Sequence, residues 1–153
     1  MFESTKNVKR GFITMTNDNT RIIPVFGYEI IRDQVLSSVL GKHEKEILYW
    51  AGKEVARKYP LFTLDEIGSF FQQAGWGDIS LEKESKESYT YVLTGDDELL
   101  KFEQRCFRLE AGFLAQQVQK LNGYLTECHD EVKAKKGQVV FTIKWDVKEP
   151  VNL

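Results

Sequence analysis

The chain has 153 residues, with 21 Lys and Arg against 23 Asp and Glu and a formal charge of -2. That balance points away from nucleic acid and from anionic membrane surfaces as partners. Hydrophobic residues make up 42%, with ten Phe, six Tyr and three Trp, so a single domain can close a sizeable core.

No apolar run approaches the ~20 residues that span a bilayer. The opening MFESTKNVKRGFITM lacks the ~7–15-residue apolar stretch of a secretory signal. Two cysteines, Cys106 and Cys128, are too few for a disulfide framework and fit a reducing, cytoplasmic setting.

Residues 1–20 are polar and read as a flexible N-terminal arm, with residues 12–15 a candidate short edge strand. Residues 21–150 read as a single domain. Its first helix runs from about Val25 to Leu40, with a break near Ser37-Ser38. Pro24 suits its first turn, Tyr28, Ile31, Val35 and Val39 give the helical repeat, and Gly41 suits its end. A second helix spans His43 to Tyr59 and stops at Pro60, with Ile47, Ala51, Val55 and Tyr59 on one face. Thr63 and Glu66 have the spacing of a capping box and open a third helix through Ala74.

Two strands follow, Trp76 to Glu84 and Glu87 to Leu93, separated by a polar hairpin loop. The stretch from Glu103 to Tyr124 is the organising helix. Phe107, Ala111, Leu114, Val118 and Leu121 line one face, and Asn122-Gly123 ends it. Gly112 within it costs about 1 kcal/mol relative to Ala, so it needs a reason, close packing first and a ligand gap second. Ala51-Gly52 makes a similar notch in the second helix. Two more strands close the chain. Tyr124, Cys128 and Val132 share a face of one, and Val139, Phe141, Ile143 and Trp145 a face of the other. The order predicts an α+β domain: a four-stranded antiparallel sheet packed on one face by about four helices.

Several stretches then resemble the YslB-like proteins of Gram-positive bacteria. They are Ile47 to Gly52, Ala74 to Gly77, Leu109 to Phe113, Asn122-Gly123 and the ending Lys144 to Pro150. At lower similarity, Ala51-Gly52 and Gly112-Phe113 resemble landmarks of 4-vinyl reductase domains and of TRAPP core subunits. The resemblance implies a ligand-binding-type fold of the nitric-oxide-signalling and Golgi-transport group, often paired as dimers. It carries no activity by itself. The vinyl reductase domains commonly hold a metal-binding cysteine pair near the last hairpin. Val139 stands where the second cysteine would fall, so no metal site is carried over. TRAPP-type relatives hold an acyl chain on a cysteine that does not map residue by residue onto Cys106.

Local chemistry adds little. Cys128 and His129 are adjacent in a strand and point to opposite faces, which separates them as joint ligands or as a nucleophile–base pair. Haem is not expected, because His43 falls in an exposed turn and His129 on the wet face of a strand. Arg105 and Arg108 read as a solvated face, with an anion site as the alternative. No phosphate loop and no nucleophile elbow occur.

The sequence therefore predicts no catalytic residue, metal or cofactor. It predicts a cytoplasmic, non-enzymatic domain that binds a small apolar ligand or a protein partner and pairs as a homodimer. Pocket candidates are Trp50, Ala51, Gly52, Phe107, Ala111, Gly112 and Leu114. The alternative is a thiol-based redox sensor or small enzyme using Cys106 or Cys128.

Overall fold

The computed structural model describes residues 12–14 and 22–152. The rest of the expected N-terminal arm lies outside those residues. The chain divides into two compact units, 1–41 and 42–153.

In the first unit, β1 (Phe12–Thr14) pairs antiparallel with β2 (Ile22–Pro24). Pro24, at φ -63°, then precedes α1 (Val25–Glu29). The helical path continues as a π-helical turn (Ile30–Val35) and α2 (Leu36–Leu40), ending at Gly41 with φ +53°. Ser37-Ser38 does not break it; the irregularity is the wider turn before it. Arg32 is buried there and donates to the Tyr28 hydroxyl at 2.9 Å.

The second unit holds α3 (Glu44–Lys58), α4 (Glu66–Gln73), β3 (Asp78–Glu84), β4 (Ser88–Thr94), α5 (Asp97–Leu100), α6 (Arg108–Asn122), β5 (Tyr124–Lys133) and β6 (Gln138–Pro150). The four strands form one antiparallel sheet in the order β3-β4-β6-β5. Alternation places Tyr91 and Leu93 of β4, Val139, Phe141 and Ile143 of β6, and Thr126 and Cys128 of β5 on the buried face. This is the α+β architecture that the order of sequence elements predicts.

The helical layer is set by two glycines. A Cβ on Gly112 would lie 1.9 Å from the Tyr49 carbonyl oxygen, and one on Gly52 would lie 2.0 Å from that of Leu109. The backbones of α3 and α6 therefore cross in contact, and each notch is filled by the other helix. Close packing is the reason Gly112 is tolerated in mid-helix. Beside the crossing, Phe113 stacks on Phe70 at 4.4 Å between ring centroids and meets Trp76 edge-on at 5.3 Å.

β3 starts at Asp78, two residues after the expected Trp76, and two helix starts also differ from the sequence reading. α4 starts at Glu66 and not at Thr63, yet the Glu66 carboxylate accepts from the backbone N–H groups of Phe62 at 2.6 Å and Thr63 at 2.9 Å. Half of the capping box is thus present, and it opens on a tighter i to i+3 turn, Glu66 N–H to Thr63 carbonyl at 3.3 Å and Ile67 N–H to Leu64 carbonyl at 3.1 Å, that leads into α4. α6 starts at Arg108 and not near Glu103. Lys101 adopts the left-handed region at φ +53°, which ends α5 and turns the chain. Phe102 and Phe107 both enter the core, with ring centroids 6.2 Å apart, and hold the segment between them as a loop.

The crossing predicts a clear contrast between glycines. Gly112→Ala forces helix against backbone and should lower unfolding free energy by about 3 kcal/mol in denaturant titration. Gly27→Ala, with no neighbour within 4 Å of its Cβ, should leave stability unchanged or raise it by up to about 1 kcal/mol.

Candidate functional site

The late start of α6 leaves a cleft of about 510 Å³. Its walls come from the first turn of α3 (Glu44, Lys45), the loop 102–107 and the end of β5 (Asp130, Val132), with Ala134 beyond. Phe102 and Phe107 supply buried apolar wall, and Cys106 is half-buried among them. Glu44, Lys45, Glu103, Asp130 and the buried Arg105 bring charges of both signs to the same lining. The volume falls in the ~300–1,000 Å³ range of small-molecule sites.

The residues singled out from sequence separate into three groups. Phe107 and Cys106 meet in this cleft. Gly52 and Gly112 meet at the helix crossing, while Ala111 and Leu114 are fully buried and Ala51 half-buried. Trp50 is 61% exposed on α3 and is not part of the cleft wall. Cys106 precedes α6 by two residues, so it sits in a loop and not in the first helical turn.

Cys128 belongs to a different arrangement, which the sequence did not reveal. The Tyr49 hydroxyl donates to the Glu127 carboxylate at 2.7 Å and accepts from the Cys128 backbone N–H at 3.1 Å. Arg108 donates to Asp130 at 2.7 Å and to the Cys128 carbonyl at 3.2 Å, and its guanidinium stacks 4.2 Å over the Tyr49 ring. Gln119 accepts from the Thr126 N–H at 3.2 Å. β5 is an edge strand, and these side chains satisfy backbone groups along its outer side. Arg108 is thus tied to β5 and is not a solvated residue. No spacing rule flags such contacts, because Tyr49 and Cys128 are 79 residues apart.

Burial pushes the Cys128 thiol well above its ordinary range, and the nearby Asp130 charge adds to this. It is protonated near neutrality and closed to solvent. Burial likewise raises Tyr49, with its hydrogen bond to Glu127 second, and raises Tyr91 to about 12, with Tyr89 second. Among the described residues, no group of three or more His, Cys, Asp and Glu is placed to hold a metal ion. No helix among them is long and apolar enough to cross a membrane.

The sequence model of a family described as "Protein of unknown function (DUF2507)" matches residues 25–144. The chain belongs to this family. "Uncharacterized protein YslB" of Bacillus subtilis (strain 168) is 40% identical over 139 residues, covering 88% of this chain and 94% of that protein. The YslB-like resemblance in the sequence therefore holds. Among solved structures, a vinyl-4-reductase family protein from Methanocaldococcus jannaschii aligns with TM-score 0.55 at 17% identity, over 84% of this chain and 85% of that one. This shows that the DUF2507 chain shares its fold. A trafficking protein particle complex subunit 3 from Naegleria fowleri, covalently bound to palmitic acid, aligns with TM-score 0.47 at 12% identity over 84% and 89% of the two chains.

Two outcomes follow from the thiol and phenol environments. With an alkylating reagent near neutral pH, Cys106 should react in the native protein and Cys128 only on unfolding, read by mass. The stability these two tyrosines contribute should be fully present below pH 10, the unfolded tyrosine value, and be lost as pH rises through the folded value, about 12 for Tyr91 and higher for Tyr49. Tyr91→Phe and Tyr49→Phe should each make that alkaline fall shallower in pH-dependent denaturation.

Proposed function

We propose that the chain is a non-enzymatic, cytoplasmic binding domain that acts as a homodimer and takes a small, largely apolar ligand in the cleft beside Cys106. The observation that carries this reading is the cleft itself. It has ligand-sized volume, wall from Phe102 and Phe107, and charged groups in its lining able to orient one end of a guest. The interior offers no such room at the glycine notches, because α3 and α6 fill them with each other's backbone. Binding is thereby moved from the helix notches to the loop that precedes α6.

A second reading is favoured by one observation, the half-buried Cys106 in the same cleft. A thiol there is open to a small oxidant or electrophile in a way that Cys128 is not. In this reading Cys106 works as a sensor thiol and Cys128 is a core residue.

Native mass spectrometry of freshly purified protein, set against the denatured mass, separates the readings. The ligand reading expects added mass that is lost on denaturation. It also expects a roughly tenfold smaller loaded fraction in Val132→Trp, where a larger side chain fills part of the cleft. Added mass that survives denaturation and vanishes in Cys106→Ser supports the thiol reading. Bare chains throughout, with no uptake of added apolar probes by the wild type, would contradict the ligand reading.

A further inference from the structure

Residues 25–40 present an apolar stripe to solvent. Phe26 is 65% exposed, Ile30 39%, Ile31 59%, Val35 44% and Val39 75%. The π-helical turn gives the stripe its alignment. In a regular α-helix each residue rotates by about 100°, so the five-residue step from Ile30 to Val35 would leave Val35 roughly 140° off the line. A turn closed i to i+5 absorbs the extra residue, and Phe26, Ile30, Val35 and Val39 then follow one another along one side.

The stripe is large for a surface without a partner. Its exposed area is roughly 500 Å², near the top of the ~300–600 Å² typical of the largest patch on a monomer. A standard interface buries ~800 Å² per partner, and a homodimer interface is ~65% apolar, which again requires ~500 Å² of apolar surface from each chain. The charge pattern narrows the occupant further. Residues 25–40 carry only Glu29, Arg32 and Asp33, Arg32 is buried, and residues 34–40 carry no charge at all. Such a stripe does not select a strongly charged partner, and it is complementary to a copy of itself.

We infer that a second copy of this chain covers the stripe, the two helical segments packing antiparallel about a two-fold axis. The inference rests on the homodimer part of the function proposed above and names its surface. Under a two-fold, Phe26 of one copy faces the Val39 end of the other, and the Ile31 and Val35 region meets itself at the centre.

Sedimentation equilibrium tests it. The wild type is expected at twice the 17.7 kDa chain mass. Ile31→Glu with Val39→Glu should weaken the dimer by roughly 100-fold, because the pair desolvates both sites, Ile31 at its centre and Val39 at the end that faces the second copy's Phe26 end. Far-UV circular dichroism should be unchanged, since both side chains are already exposed. Phe62→Glu, at a residue 79% exposed in the other unit, should leave the dimer intact. A wild type that stays monomeric at micromolar concentration would overturn the inference and the homodimer reading together. A dimer that survives the double substitution would overturn this surface alone and leave the homodimer standing.

Discussion

The backbone contact between α3 and α6 is the constraint on which the second unit depends. Two 15-residue helices meet where Gly52 and Gly112 leave no side chain between them. The contact brings Tyr49 of α3 and Arg108 of α6 within reach of the same residue of β5. Tyr49 takes the N–H of Cys128, and Arg108 its carbonyl. A wider helix pair would part these groups from the strand and leave its edge groups without partners, at a cost of about 1–3 kcal/mol for each group left buried and unpaired. The helix crossing, the closed sheet edge and the buried Cys128 are thus consequences of one close approach.

The same approach decides where space is left beside the core. With the glycine notches filled, Ala111 and Leu114 become closed core, against Phe113, Phe71 and the buried face of the sheet. Space remains where the chain cannot be helical. Lys101 turns it by left-handed backbone, and Phe102 and Phe107 pull both ends of the following loop inward. The cleft with Cys106 is what this loop leaves beside the start of α3 and the end of β5. Its two ends are fixed by buried rings, so its shape is set by the core and not by the loop's own preferences.

Much of this fold was legible in the sequence. Period-two alternation gave the buried faces of β4 and β6, where Tyr91, Leu93, Val139, Phe141 and Ile143 are buried. Glycine in mid-helix signalled close packing at Gly112 because its conformational cost demands a return. Asn122-Gly123 marked the end of α6, and Gly123 does adopt φ +78° there. What escaped was chemistry between distant residues. Apolar periodicity through Phe107 extended the helix back toward Glu103, since a buried ring in a loop and one on a helix face look alike in a pattern of hydrophobic positions. Periodicity does not distinguish the π-helical turn from plain helix, because Tyr28, Ile31, Val35 and Val39 also fit α spacing. Tyr49, Arg108 and Gln119 carried no signal of their contact with β5, which depends on the fold being complete.

Residue-resolved amide hydrogen exchange is the most direct test of this account. The helix crossing is held to be the stable centre, and the 102–107 loop the yielding wall of the cleft beside Cys106. The account predicts the slowest exchange in α3 near Gly52, α6 near Gly112 and central β6, at rates that track global unfolding, with the loop amides opening far sooner. If α3 exchanged as fast as that loop, or opened without α6, the close crossing would not be the element that holds the unit together.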